Sequence, residues 1–137
     1  MKTFKFFVEG RPKGKGRPRM NRRTGQVYTP KATKQYESDI RQAFLRQGGE
    51  SFCGLPVSVQ VEASYPMPKS WSKRQKDEAR GTYCENKPDI DNLLKAILDA
   101  GNGGVIWSDD KSIVSVVACK RWADTGGVEI TITDMSD

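Results

Sequence analysis

Hydrophobic and polar residues alternate along two stretches of the chain, at residues 4–8 and 57–65. A period of two is typical of a β-strand that buries one of its faces. Gly10 follows the first stretch and Pro66 follows the second, and both residue types disfavour continued strand pairing. The pattern therefore predicts two half-buried strands with well-defined ends.

Further apolar segments with strand character lie near the C-terminal end, at residues 105–107, 113–119 and 128–132. The sequence Thr-Gly-Gly at residues 125–127 separates the last two segments and is typical of a tight turn. We therefore expect the last two strands to pair with each other as a β-hairpin.

Apolar residues recur at helical spacing in two regions, residues 30–47 and 88–100. Pro30 and Pro88 favour helix starts, and glycines follow both regions. A shorter, highly charged helix is expected at about residues 70–80, with Ser70 as its cap. The buried face of the later long helix is formed by Leu93, Leu94, Ile97 and Leu98.

This order of strands and helices predicts an α+β fold, a mainly antiparallel or mixed sheet with helices packed on it. A length of 137 residues suits one domain, so we treat residues 1–137 as a single domain. Residues 11–23 mix glycine, proline and cations without any period, which predicts a mobile loop.

Charge is distributed unevenly. The net charge is +6, yet residues 1–36 carry eleven basic residues against one acid, and residues 37–137 carry twelve against sixteen. A basic N-terminal region indicates binding to a polyanion such as nucleic acid. Acidic residues in a polyanion-binding protein are unfavourable unless a cation neutralises them, and this conflict indicates a metal ion.

Composition excludes several function classes. The chain has no histidine, which excludes nucleases and hydrolases that use an imidazole base. Its three cysteines are scattered, so neither a disulfide framework nor a zinc site is indicated. No apolar run reaches the roughly 20 residues of a membrane span, and we expect a cytoplasmic protein without a membrane partner.

The start of the second long helix carries the main candidate site. Asp89 is expected at the N-cap and Asp91 in the first turn, so that both carboxylates lean over the helix end, with Lys95 one turn further on. A purely structural interpretation is open, because acids stabilise helix N-termini and Asp91 and Lys95 are spaced for an ion pair. Asp99 either pairs with Lys95 and holds it in place, or is a solvent-exposed acid.

A second acidic pair, Asp109 and Asp110, lies between two apolar segments, where helix capping is not expected to explain it. Two carboxylates from the helix start and one from this pair would suit a hard cation such as Mg²⁺, which activates water for phosphodiester hydrolysis. A nearby lysine would then stabilise developing charge. Pro88 and Asp89 with Asp109 and Lys111 also fit the loose PD…D-x-K pattern of restriction-type nucleases, which would make Lys111 the important lysine.

Short motifs of one family run along most of the chain. D-x-D-N-x-x-K lies at residues 89–95, A-x-x-D-A at 96–100, and the acid pair at 109–110. Three further stretches are G-R-P-R, Y-T-P and G-V-E-I-T-I, at residues 16–19, 28–30 and 127–132. With these motifs the chain resembles the RusA-type Holliday-junction resolvases, small endodeoxyribonucleases of bacteria and their phages.

The resemblance implies a Mg²⁺-dependent homodimer that cuts four-way DNA junctions by paired nicks of like polarity, in recombination and repair. By position, the family's catalytic acids fall on Asp89, Asp91 and Asp110, and its essential lysine on Lys95. The choice of Asp110 over Asp109 rests on the resemblance alone.

Two positions depart from the family pattern. Gly101 stands where a leucine is common, and Ser112 stands where a glutamine often follows the acid pair. Both lie outside the expected ligand set, so they affect loop geometry and junction preference more than hydrolysis.

The cations of the N-terminal region are candidates for contacts with DNA phosphates, because a loop spaced by glycine and proline can follow a backbone without reading bases. The alternative is a solvated loop that only increases solubility. A non-catalytic nucleic-acid-binding module without a metal is the main alternative to an enzyme. The candidate DNA-binding residues are Arg11, Lys13, Lys15, Arg17, Arg19, Arg22, Arg23, Lys120 and Arg121.

Overall fold

A four-stranded mixed sheet lies at the centre of the computed structural model, which describes residues 2–137. In chain order the elements are β1 (Thr3–Glu9), β2 (Arg19–Met20), β3 (Val27–Tyr28), α1 (Lys31–Arg46), β4 (Val57–Pro66), α2 (Lys73–Ala79), α3 (Ile90–Gly101), a 3₁₀ turn (Asp110–Ser112), β5 (Ile113–Ala123) and β6 (Gly127–Asp134). The order across the sheet is β1-β6-β4-β5, with β4 and β5 parallel and the other pairs antiparallel. The predicted α+β class is confirmed.

Strand β4 is one of the two inner strands of the sheet, because it is paired along both edges, as β6 also is. Its alternate residues are buried, as their spacing predicts, and they belong to a single core shared with the helices. Helices α1 and α3 pack against each other, and α1 also contacts β1. No helix within residues 2–137 has the length and apolar character needed to cross a membrane. The helices contribute Tyr36, Ile40, Ala43, Phe44, Leu93, Ala96, Ile97 and Ala100 to the core.

The predicted hairpin between the last two strands is wrong. Strands β5 and β6 follow each other in sequence, yet β4 lies between them in the sheet. Gly126 crosses the end of β4 so closely that a Cβ atom there would lie 3.1 Å from Pro66 Cδ and 3.0 Å from Arg11 Cα. Glycine is favoured here, because a Cβ atom would force the neighbouring atoms to move by a few tenths of an ångström. The alternating pattern that identified each strand did not identify its partner.

Three other expectations need correction. The segment predicted as a mobile loop contains β2, which pairs with β3 in a short hairpin. Helix α2 is capped by Ser72 rather than Ser70: the Ser72 hydroxyl accepts from Gln75 N–H at 3.1 Å, and the Gln75 side chain accepts from Ser72 N–H at 2.7 Å. Residues 105–107 form no strand, although Trp107 is fully buried.

Candidate active site

The N-terminal end of α3 presents Asp89 with its carboxylate uncommitted. Asp89 is the N-cap residue, with an extended backbone (φ −62°, ψ 152°), and its carbonyl oxygen accepts from Leu93 N–H at 3.0 Å. Its exposed side chain makes no capping hydrogen bond. The residue before it is fixed instead, because the Tyr65 hydroxyl donates to the Pro88 carbonyl oxygen at 2.9 Å. The predicted N-cap position is therefore confirmed, while side-chain capping does not explain the acid.

Asp91 and Lys95 lie one turn apart on α3, and both are exposed. Asp91 Oδ1 accepts a hydrogen bond from Asn92 N–H at 2.9 Å. Within residues 2–137 neither side chain takes part in an ion pair, so the pair predicted from their spacing does not form. Asp99 does not hold Lys95 either, because it pairs with Lys15 at 3.2 Å. The Lys95 ammonium is thus not neutralised by a neighbouring acid of the described chain.

The second acidic pair lies in the 3₁₀ turn, which contacts α3. Asp109 caps this turn by accepting a hydrogen bond from Lys111 N–H at 3.1 Å, so the expectation that capping plays no part here is wrong. The two exposed carboxyl groups are close enough to hydrogen-bond when one of them is protonated, which raises the pKa of Asp110 and lowers that of Asp109.

The acids match the chemistry of a hard cation but are not gathered around one point. Within residues 2–137, no three His, Cys, Asp or Glu side chains stand close enough together to hold a metal ion. Asp89, Asp91 and Asp110 are nevertheless exposed oxygen donors on two elements in contact. A metal ion held by all three requires their side chains to reorient.

The cationic residues fall into two groups. Most of those in the N-terminal region are exposed, and the β2–β3 hairpin carries Arg19, Arg22 and Arg23. Lys120 and Arg121 instead hold residues 81–86 against β5: the Lys120 ammonium donates to the Asn86 carbonyl oxygen at 2.6 Å, and Arg121 donates to the Gly81 carbonyl oxygen at 2.9 Å. Lys15 also differs, since its ammonium lies between Glu37 and Asp99. The exposed candidates of the N-terminal region are Arg11, Lys13, Arg17, Arg19, Arg22 and Arg23.

Comparison with known proteins decides the family. A family model described as Endodeoxyribonuclease RusA matches residues 9–133, which include every acid discussed above. The chain belongs to the RusA endodeoxyribonuclease family. This membership confirms the resemblance seen in the motifs and supports endonuclease activity at the level of the family.

Individual relatives are similar to the chain at identities between 25% and 33%. A Bacillus subtilis (strain 168) relative, named "Uncharacterized protein YqaN", is 33% identical over 142 residues, which cover 99% of each chain. The crossover junction endodeoxyribonuclease RusA of Escherichia coli O139:H28 (strain E24377A / ETEC) is 25% identical over 138 residues, covering 100% of this chain and 99% of that one. The protein of the same name from Shigella sonnei (strain Ss046) is 29% identical over 114 residues, covering 82% and 74%.

The structure explains one of the two departures from the RusA pattern. A Cβ atom at Gly101 would lie 2.5 Å from Cε2 and Cζ2 of Trp107, so this tryptophan fills the space that a larger residue would need. The Trp107 indole N–H is held there by Leu98 O at 3.1 Å and Asn102 Oδ1 at 3.0 Å. At the C-terminal end of α3, Trp107 therefore occupies the space beside Gly101, and this end is opposite to the one that carries Asp89 and Asp91.

Sequence reasoning missed two residues that support the site. The sequence pattern indicates only a strand position for Tyr65, whose hydroxyl fixes the backbone before Asp89. The charge pattern indicates a DNA contact for Lys15, whose ammonium instead joins α1 to α3. Gly14 and Gly16 on either side of Lys15 could have indicated this role from the sequence, because glycines permit the backbone to pack closely against other elements.

Proposed function

We propose that this protein is a divalent-metal-dependent endonuclease that cuts four-way DNA junctions by paired nicks, in recombination and repair. The observation that carries the proposal is the end of α3, where Asp89 and Asp91 are exposed without an ion-pair partner among the described residues and Lys95 lies one turn away. Carboxylates in that condition beside a basic surface favour a bound cation over a structural role.

Each side chain would have a separate task in hydrolysis. Asp89, Asp91 and Asp110 would hold a Mg²⁺ ion, which when bound polarises the phosphodiester and activates water. Lys95 would orient the attacking water or stabilise charge on the phosphate oxygens, since no acid within residues 2–137 neutralises it. Asp109 would serve mainly to fix the 3₁₀ turn that carries Asp110.

The exposed arginines of the hairpin and its flanks would contact phosphates. Arg19, Arg22 and Arg23 stand on a two-stranded element that projects exposed side chains along residues 17–28. Guanidinium groups bind phosphate oxygens without reading the bases. This arrangement suits an enzyme that recognises the shape of the DNA.

The two edge strands of the sheet differ in a way that supports a homodimer: the β1 edge is blocked, and part of the β5 edge is open. The β1 edge is blocked at Phe7, whose N–H donates to Gln47 Oε1 at 3.0 Å and whose carbonyl oxygen accepts from Gln47 Nε2 at 2.7 Å. On β5, residues 81–84 bond only to the Lys120–Trp122 part. The rest of the β5 edge exposes Val114 and Val117, each 60% exposed. Native proteins rarely leave an apolar edge strand open, so we infer that a second copy covers it.

The test of the proposed function uses the whole protein with labelled four-way junctions and with duplex DNA of matched length. With Mg²⁺ we expect paired nicks in the junction and none in the duplex, and no nicking when a chelator removes the metal. Binding without nicking at every metal concentration would favour the non-catalytic nucleic-acid-binding module. That alternative is favoured by one observation, namely that the described acids are not gathered around a point.

A further inference from the structure

The segment at residues 14–16 joins the N-terminal ends of α1 and α3. Lys15 N–H donates to the carbonyl oxygen of Asn92 in α3 at 3.0 Å. Gly16 N–H donates to the hydroxyl oxygen of Thr33 in α1 at 2.9 Å. The backbone is therefore fixed to both helices immediately before the chain enters the exposed hairpin.

The Lys15 side chain makes a second connection between the same helices. Its Nζ lies 3.1 Å from Oε1 of Glu37 in α1 and 3.2 Å from Oδ2 of Asp99 in α3, and the three side chains are only 17%, 12% and 26% exposed. Burial by itself lowers the pKa of Lys15, but the hydrogen bonds and charges of Glu37 and Asp99 outweigh burial and raise this pKa. Charge-assisted hydrogen bonds shielded from water are stronger than exposed ion pairs.

The segment also touches both sides of the acidic motif. A Cβ atom at Gly14 would lie 2.9 Å from Cβ of Pro88 and 3.2 Å from Cβ of Asn92. Pro88 directly precedes Asp89, and Asn92 directly follows Asp91. The backbone at residues 14 and 15 therefore packs on the flanks of the two acids that the proposed function requires.

We propose that Lys15 is a positioning residue for the nuclease function proposed above. Through Asn92 and Asp99 it holds the acidic end of α3 at a fixed place relative to the DNA-binding hairpin, and it does not itself contact DNA. A phosphate would have to displace two carboxylates to reach its ammonium. Loss of that ammonium leaves Glu37 and Asp99 as neighbouring, mostly buried anions, which push α1 and α3 apart.

The test compares wild type with Lys15→Met, with the charge-keeping Lys15→Arg, and with Lys34→Met, an exposed lysine of α1, as the matched control. Junction affinity is measured without divalent metal, and single-turnover cleavage is measured with Mg²⁺ at saturating protein. We expect Lys15→Met to lose about tenfold or more in rate, because small misplacements of reacting groups cost that much, and to keep its affinity. Lys15→Arg recovers most of the rate, and Lys34→Met matches wild type.

Two results overturn the proposal. A Lys15→Met variant with reduced affinity and normal rate makes Lys15 a DNA-binding residue, and one with wild-type values for both makes it dispensable. If Lys15→Met does not fold, the double variant Lys15→Met/Glu37→Gln removes one unpaired anion and is measured in the same way; recovery of a normal rate in a folded protein without the ammonium also overturns the proposal.

Hydrogen exchange separates this proposal from the proposed function. In Lys15→Met we expect faster exchange of the hydrogen-bonded backbone amides at residues 93–101 of α3, where the ion pair with Asp99 is lost, and unchanged exchange at residues 40–46 at the far end of α1. Unchanged exchange in both regions contradicts the tether whether or not the protein cuts DNA. Absence of cutting by wild type contradicts only the nuclease function.

Discussion

Asp109 caps the 3₁₀ turn and Asp110 is the first residue within it, and the fold uses the two carboxylates differently. Asp109 accepts a hydrogen bond from Lys111 N–H and so caps the 3₁₀ turn, and its hydrogen bonding with the Asp110 carboxyl group, when one of the two is protonated, lowers its pKa. The same interaction raises the pKa of Asp110, whose side chain accepts no hydrogen bond from the backbone or side chain of any other described residue except Asp109. The pair therefore separates into a residue that shapes the turn and a residue that is available to a ligand.

This difference predicts unequal effects of removing each charge. Asp110→Asn should abolish cutting, with a loss of about a hundredfold or more because a proposed metal ligand is removed. Asp109→Asn should retain most activity and lower the thermal unfolding midpoint slightly, since an amide oxygen can still cap the turn. Cleavage assays and thermal unfolding of both variants decide the ranking, and a greater activity loss in Asp109→Asn would reverse it.

The RusA-type motif assigns the important lysine to Lys95, whereas the restriction-type PD…D-x-K pattern assigns it to Lys111. Lys95 lies on α3 beside Asp91, whereas Lys111 lies in the 3₁₀ turn. Lys95→Ala should reduce the cleavage rate by about a hundredfold, because one group that stabilises transition-state charge is removed. Lys111→Ala should have a much smaller effect and serves as the matched control. A larger loss at Lys111 would favour the PD…D-x-K assignment.

Charge on the open edge of β5 should prevent dimer formation. Val117→Lys places two ammonium groups close together across a β5–β5 interface, and a charge on an edge strand opposes pairing with another strand. Sedimentation should then show a monomer where wild type is a dimer. The control is Val27→Lys, since Val27 is 66% exposed on the β2–β3 hairpin. A dimeric Val117→Lys, or a monomeric wild type, contradicts this interface.

Arginines of the hairpin should act on affinity rather than on rate. Arg22→Ala and Arg23→Ala should each weaken junction binding, and each should reduce the slope of log affinity against log salt by about one for every phosphate that the variant no longer neutralises. Arg46→Ala, at the far end of α1, is the control. Salt-dependent binding measurements that show the same slope for all three variants would remove the hairpin from the DNA interface.

Local signals in the sequence predicted local features well. The strand β4, the helix α3 and the N-cap position of Asp89 depend on residues within a few positions of each other, and the structure confirms them. Gln75 selects Ser72 over Ser70 as a cap through a reciprocal pair of hydrogen bonds, which a serine alone does not reveal.

Interactions between distant residues could not be predicted in the same way. Glu37 lies 22 positions from Lys15, and Asp99 lies 84 positions away, so nothing in their local sequence shows that one ammonium joins them. The insertion of β4 between β5 and β6 is of the same kind, because strand pairing is decided by the packing of the whole sheet. The sequence therefore located the acids but not what holds them in place.

The proposed metal-dependent nuclease activity depends on the acidic end of α3. Asp91→Asn tests it most directly in a junction assay that measures nicking with Mg²⁺ and binding without divalent metal, with Asp77→Asn in α2 as the matched control. We predict that Asp91→Asn loses nicking and binds the junction as tightly as wild type or more tightly, because one negative charge near the DNA is removed. Nicking by Asp91→Asn at the wild-type rate would contradict the account.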